Sequence, residues 1–527
     1  MSEMRDDAGL STPEVGPAPR QVDPTRTPRL DLVLGGGVPR GSLLMVVGPP
    51  GSGKTTLAAQ MAFAAARAGR DALILTAFSE PTSKLIAHLR AFTFFDEALV
   101  GGPVRILSLE QFLPRGLAST AEELLALTWE ERAGLVLLDG FTGIREADSD
   151  PQAARQFLYQ VGSALSVRGT TTLITSEADP RDQALFPEAT TADIIVGLHY
   201  SLDGVRQRRG LEVVKARGAA PLPGLHGLAL NDDGAVVYPR LEATVRTAGQ
   251  TTVATTSAAR VSSGVPDLDT LLGGGLNQAT TTLVTGSLGA GKTFLGLHFA
   301  LAGLRVGESV VFAGFRETEE QFLLKADVLA DGATLRAALQ PDGGLTLLHW
   351  PPVELDPDIV ADEILATLDR TGARRLVVDS VAELERAAGA RDPRRVNEYL
   401  AALVVALRRR GVTTLVIREA RRTVAEVPEY PADPVSMMAD NVIVLRQVVV
   451  DNRLRRTLAV VKMRFSAHDV ALHEFRIAAP QGIQLQPLSS GATVPGTLDP
   501  TPENRQPENR QVDGEGQAAR ARPEETA

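Results

Sequence analysis

Cysteine is absent from all 527 residues, which excludes disulfides, thiolate metal sites and a cysteine nucleophile. Aromatic residues are scarce, at 4%, leaving few candidates for stacking on the bases of single-stranded nucleic acid. Positive charge is in deficit, with 54 Lys and Arg against 64 Asp and Glu and a formal net charge of −10. That balance counts against a surface built to coat nucleic acid, although a local basic channel is compatible with it. No apolar run approaches the length of a membrane span. The first residues, Met1-Ser2-Glu3-Met4-Arg5-Asp6-Asp7, are acidic and contain no apolar signal core. A soluble, cytoplasmic protein with no membrane partner is the expectation. What the chain does have is 44% hydrophobic residues, ample for more than one buried core.

The stretch with the most chemistry is Gly48-Pro49-Pro50-Gly51-Ser52-Gly53-Lys54-Thr55, which satisfies the phosphate-loop pattern G-x-x-x-x-G-K-[ST]. A strand-like run, Leu43 to Val47, leads in, and a helical pattern from Thr56 to Ala68 leads out. Glycines let the backbone curl so that successive N–H groups face a phosphate, and the helix N-terminus adds partial positive charge. Lys54 is placed to reach the β- and γ-phosphates and Thr55 to hold Mg²⁺. The element occurs twice. Gly286-Ser287-Leu288-Gly289-Ala290-Gly291-Lys292-Thr293 repeats it, followed by Phe294 where the first copy has Thr56. The interval of 238 residues from Lys54 to Lys292 also separates Gly35-Gly36-Gly37 from Gly273-Gly274-Gly275. A repeat this regular is a domain duplication.

Composition divides the rest. Pro13, Pro17, Pro19 and Pro24 among polar residues predict a disordered arm over residues 1–24. The first unit spans 25–247, a small polar linker 248–258, the second unit 259–487, and a Pro-rich tail 488–527 is expected to be disordered. Within the first unit, Ala72–Phe78, Leu135–Asp139 and Thr172–Thr175 read as buried strands, with helical patterns at Thr120–Leu127 and Gln152–Arg168 between them. A β-rich end follows, at Ile194–Tyr200 and Leu211–Arg217. Val310–Phe315, Leu376–Asp379 and Thr414–Ile417 match these strands in the second unit. Strands alternating with helices predict an α/β fold, a mostly parallel sheet flanked by helices in each unit.

Asp139 and Asp379 each close an apolar run and are the candidates for holding Mg²⁺ through water. A strand-end Asp is also a common helix cap, and Ser380 would cap equally well; the phosphate loop in the same repeat favours the metal role. Glu80 and Glu317, at matching positions past the second strand, are the candidate carboxylates for orienting or deprotonating water. Lys215 with Arg217 and Lys462 with Arg464 repeat a K-x-R pattern on a strand, placing each pair on one face. Repetition of that pattern suits a basic finger that contacts nucleotide on a neighbouring subunit. His468 and His473 lack partners at zinc spacing, Arg408-Arg409-Arg410 reads as solvated charge complementing a helix dipole, and Trp129 and Trp350 are expected in a core or an interface.

Two phosphate-loop units, each opening with G-G-G-[LV] and closing with K-x-R, resemble the KaiC family of tandem RecA-like ATPases and autokinases of the cyanobacterial clock. The resemblance spans residues 25 to 485, and Lys462-Met463-Arg464-Phe465-Ser466-Ala467-His468-Asp469 is its most specific segment, resembling K-M-R-x-S-x-H-D. It implies ATP and Mg²⁺ as cofactors, a homohexameric double ring with ATP between subunits, a first ring that is mainly an ATPase, and a second that phosphorylates a Ser–Thr pair on the adjacent subunit. KaiB-like or other signalling proteins are the partners it implies. The sequence also departs from the family. Ser79 and Arg316 replace the first of two adjacent glutamates, leaving Glu80 and Glu317. Ser436 matches the family's acceptor serine, but Met437 stands at the threonine, so a two-site phosphorylation cycle is excluded. The tail after Pro487 shows no similarity to the segment through which KaiA acts. The leading expectation is thus a Mg²⁺-dependent ATPase with Ser436 as the candidate phosphoacceptor. A nucleotide-gated scaffold with little turnover is the alternative, and a DNA-dependent RecA-type motor ranks below both.

Overall fold

Leu43–Val47, Leu135–Asp139 and Thr171–Ser176 are buried over their whole length, as strands must be when helices cover both faces of a sheet. In the computed structural model, which describes residues 21–77, 81–148, 150–179, 187–247, 259–390, 392–419, 438–450 and 453–487, they lie inside a nine-stranded sheet. The strand leading into the loop sits between Thr171–Ser176 and Ile194–Asp203, parallel to both. Leu135–Asp139, Ala72–Thr76 and Val104–Ser108 continue the parallel half. Arg206–Ala216, His226–Asn231 and Gly234–Tyr238 extend the other edge with antiparallel pairing. Alternation distributes the side chains. Leu44 and Val46 join a core with Leu57 and Met61 of the helix Lys54–Arg67. Leu43, Met45 and Val47 join another with Leu124 of the helix Leu117–Glu130 and Phe157 of Pro151–Val167.

The second sheet repeats this plan. From one edge to the other it runs Leu345–His349, Val310–Gly314, Arg375–Asp379, Thr413–Glu419, Thr281–Gly286, then the antiparallel strands Asn441–Val450, Arg453–Met463, His473–Ala478 and Gly482–Pro487. Two tandem RecA-like α/β domains are the architecture. The helix after each loop starts at the lysine, two residues before the apolar pattern does, because its first turn carries the polar Lys and Thr. Val22–Asp23, inside the expected N-terminal arm, pairs with Val38–Pro39. Residues before Gln21, the span 248–258, the tail beyond Pro487, and Phe78, Ser79, Glu80, Ser436 and Met437 lie outside the described residues.

One side-chain expectation needs correction, and two further placements add to the picture. Arg408, Arg409 and Arg410 do not merely face solvent: Arg408 bonds both oxygens of fully buried Asp440, Arg409 donates to the Val245 carbonyl, and Arg410 pairs with Asp369. Trp129 is 44% exposed, with the Arg168 guanidinium 4.6 Å from its ring centre. The helix Leu241–Thr247, at the end of the span 25–247, buries Leu241 in a core cluster with Ile364 and Tyr399.

Candidate nucleotide-binding sites

Each loop leaves its strand and turns through a left-handed glycine, Gly53 at φ 101° and Gly291 at φ 102°, into the helix that begins with the lysine. That left-handed backbone is what requires glycine at Gly53; a Cβ there would also meet the tip of the Leu230 side chain at 2.9 Å and push it aside. Lys54 Nζ donates to the Pro49 carbonyl at 3.0 Å, and Lys292 Nζ to the carbonyls of Gly286 at 3.0 Å and Ser287 at 2.7 Å. Both ammonium groups thus lie folded onto their loops. Burial lowers the pKa of each, while Glu177 and Asp139 oppose the shift at Lys54, and Glu419 and Asp379 oppose it at Lys292.

Behind the loops the threonines meet the aspartates. Thr55 Oγ1 donates to Asp139 at 3.0 and 3.2 Å, and Thr293 Oγ1 to Asp379 Oδ2 at 2.7 Å. Thr175 Oγ1 donates to Asp139 Oδ1 at 2.6 Å and accepts from the Gly140 N–H at 2.8 Å, fixing that carboxylate. Burial raises the pKa of Asp379, and the Thr293 bond offsets only part of the rise. Among the described residues no three His, Asp or Glu side chains gather as a metal cage. Mg²⁺ does not need one, since it binds through one or two protein groups plus water and phosphate oxygens. The hydroxyl–carboxylate pair fits that requirement. The Oγ atoms of Ser52 and Ser287, within the loops, are buried without a hydrogen-bond partner among the described residues, as groups awaiting an anion would be. A cavity of about 370 Å³ opens over the first loop, lined by Lys54, Thr55, Asp139, Glu177, Phe92 and Leu230 among others.

The structure draws attention to one carboxylate in each domain that the sequence reading passed over. Glu419 ends the strand next to the second loop strand and Glu177 follows directly on the corresponding strand of the first domain; Glu419 is the register partner of Gly286, and the Gly48 N–H bonds the Ser176 carbonyl. Their signal was available: Thr171-Thr172-Leu173 and Thr413-Thr414-Leu415 each precede a glutamate by the same interval. Glu317 forms an ion pair with Lys325, and its charge helps to raise Asp379, so it lies within electrostatic reach of the site. Its counterpart Glu80 is not among the described residues. Arg316 donates from Nε to Glu383 Oε1 at 3.0 Å and from Nη1 to Glu419 Oε1 at 3.1 Å.

Arg217 and Arg464 fall one residue past their strands, which end at Ala216 and Met463. Lys215 and Arg217 nevertheless reach the same carbonyl, that of Thr190, at 3.2 and 2.9 Å. Lys462 Nζ donates to the Ala439 carbonyl at 2.8 Å, and Arg464 lies 3.9 Å from Asp440. The end of the strand that faces the chain's own loop carries a different arginine. Arg209 touches the Gly51 carbonyl at 3.4 Å and stacks on Tyr200, and Arg456 touches the Gly289 carbonyl at 3.3 Å. About 20 Å of extended strand therefore separates the K-x-R pair from the loop of its own domain.

Comparison with known proteins agrees with this duplicated geometry. The sequence profile of the KaiC ATPase family matches residues 23–242 and again 261–490. The circadian clock oscillator protein KaiC of Rippkaea orientalis is 25% identical over 464 residues, covering 85% of each chain. The circadian clock protein KaiC3 of a Synechocystis species is 25% identical over 86% of this chain and 89% of its own. KaiC of Synechococcus elongatus is 25% identical over 85% of this chain and 86% of its own. With both domains matched, and with a phosphate loop, its lysine and a threonine–aspartate contact in each, the chain belongs to the KaiC family of P-loop ATPases.

Proposed function

We propose that the chain is a Mg²⁺-dependent ATPase that binds one ATP at each loop and acts as a nucleotide-gated signalling ring. The observation that carries this reading is the threonine–aspartate contact beneath the loop, present in both domains. Gly48 to Thr56 and Gly286 to Phe294 wrap the phosphates with backbone N–H groups, and Lys54 and Lys292 swing from their carbonyls to neutralise them. Thr55 with Asp139, and Thr293 with Asp379, hold Mg²⁺, which when bound offsets charge on the phosphate oxygens. Glu80 and Glu317 orient the attacking water and take its proton. Lys215, Arg217, Lys462 and Arg464 serve the nucleotide of the next copy in a homohexamer. Relatives named as clock proteins support a signalling role and partners of the KaiB type. Ser436 is the candidate acceptor in the second domain. Net charge and scarce aromatics weigh against a DNA-driven motor.

The test is one incubation with γ-labelled ATP and Mg²⁺, following released phosphate and label on the protein. Phosphate release that falls with Lys54→Ala and Lys292→Ala supports the ATPase. Label lost with both Lys292→Ala and Ser436→Ala supports the acceptor, and label that never appears removes it. Bound nucleotide with neither signal would replace turnover by a nucleotide-gated scaffold. That alternative draws on Arg316, whose bonds tie up two carboxylates of the second domain.

A further inference from the structure

The two sites share loop, lysine, threonine and aspartate, yet the second carries an arginine–glutamate pair, Arg316 with Glu383, whose two positions hold Ser79 and Gly143 in the first. Arg316 lies just past the strand Val310–Gly314, where the Phe315 N–H donates to the Asp379 carbonyl at 3.2 Å. From there its guanidinium reaches beyond the Asp379 strand to Glu419 on the following one, the strand that adjoins the loop strand. Its other bond goes to Glu383, whose side chain is 2% exposed and is also paired with Arg386. One end of the arginine is therefore anchored in a buried carboxylate, and the other lies at the mouth of the site. In the first domain the residue four past the metal aspartate is Gly143 rather than a glutamate, and the residue before Glu80 is Ser79 rather than an arginine. Neither half of the pair exists there.

We propose that Arg316 reads the γ-phosphate of nucleotide at the second site, in cis, so that this site selects ATP over ADP more strongly than the first does. The proposal rests on the ATP-binding reading above. Glu419 responds to two cations, accepting from Arg316 and acting electrostatically on Lys292. An anionic γ-phosphate entering the loop meets the same two cations. A guanidinium has five N–H donors, of which the Glu383 and Glu419 bonds use two, and its planar fork suits phosphate oxygens. Bonds of this charge-assisted kind are made only with the terminal phosphate, so ADP forgoes them and leaves Arg316 with Glu419. The buried Glu383 keeps the guanidinium at the mouth in either state, which limits the ordering cost when ATP arrives. The first site has serine at that position and so lacks this guanidinium.

The experiment uses the full chain with Lys54→Ala, so that only the second site binds, and displaces a fluorescent ADP analogue with ATP or ADP in the presence of Mg²⁺. Arg316→Gln is expected to weaken ATP about tenfold while changing ADP less than about twofold, with Arg316→Lys recovering part of the loss. The first site, read in the Lys292→Ala chain, is expected to show the smaller ATP preference. Equal losses for both nucleotides, no loss at all, or a first site that matches the second would overturn the proposal. A Lys54→Ala parent that binds no analogue would instead overturn the two-site reading on which it rests, and the proposal with it.

Discussion

At the scale of single residues, the loops are bounded by atoms that leave no slack. A Cβ on Gly286 would stand 1.9 Å from the carbonyl oxygen of Leu445, its partner in the sheet, and neither backbone can move alone. Gly286→Ala is therefore expected to cost about 1–3 kcal/mol and to shift the loop's first peptide. Denaturant titration, with nucleotide affinity measured alongside, checks both effects; unchanged values in the two would refute the packing argument. His298 makes a different demand. Its buried Nε2 accepts the Ile483 N–H at 3.1 Å, which requires the neutral ring, and burial, aided by the charge of Arg305, lowers its pKa to about 4. Between about 4 and the unfolded value near 6.5 the unfolded chain binds more protons, so this group's contribution is complete above that window and is lost as pH falls through it. The loss amounts to roughly 3 kcal/mol at the acid end. His298→Gln is expected to flatten the fall in second-domain stability between pH 7 and 5, as read by urea midpoints at each pH.

At the scale of elements, the helix Leu241–Thr247 links the domains through ions rather than apolar contact alone. Arg395 bonds Glu242 of that helix at 2.7 Å and Asp358 at 2.6 Å, while Asp358 also accepts the Leu241 N–H at 3.2 Å. Burial raises Asp358 to about 6, against the pull of Arg395. Its folded pKa exceeds its unfolded one, so protonation favours the folded chain and stability from this group declines as pH rises through about 4 to 6. Arg395→Leu strands a buried carboxylate. The expected cost is about 3–5 kcal/mol at pH 8 and less at pH 5, where Asp358 takes a proton; equal cost at both pH values would exclude this origin. Such a clasp was not legible in the sequence, because Glu242 and Arg395 are 153 residues apart and no local pattern joins them. The strands and loops were legible because each is a contiguous run whose apolar period or glycine spacing needs no partner. Arg316 stood out as an oddity, but its partners Glu383 and Glu419, 67 and 103 residues away, did not. Glu177, Glu419, Arg209 and Arg456 were readable in principle. Each recurs in both units, the arginines within R-x-R-R at Arg206–Arg209 and Arg453–Arg456.

At the scale of the molecule, duplication places two complete loops in one chain but leaves each K-x-R pair far from the loop of its own domain. Lys215 and Arg217 hold the carbonyl of Thr190 at one end of their strand, while Arg209 touches the loop at the other. A role in catalysis for the pair thus requires another copy, arranged head to tail as in a closed ring. That requirement separates cis from trans action in a mixing experiment. Lys54→Ala and Arg217→Ala chains, each with Lys292→Ala to silence the second site, are expected to release little phosphate alone. Mixed in equal amounts and allowed to exchange, they form some contacts in which an intact loop on one copy meets an intact arginine on the next. Random mixing makes about one quarter of the contacts competent, so phosphate release should recover to about that fraction of the Lys292→Ala parent. Recovery that disappears on dilution below the assembly concentration would tie it to contact between copies. If Arg217→Ala alone keeps full activity, the pair is structural, holding the carbonyls of Ala189 and Thr190 and the carboxylate of Asp193. If the mixture shows no recovery although exchange is verified, the arginine serves its own chain and the head-to-tail arrangement must be abandoned.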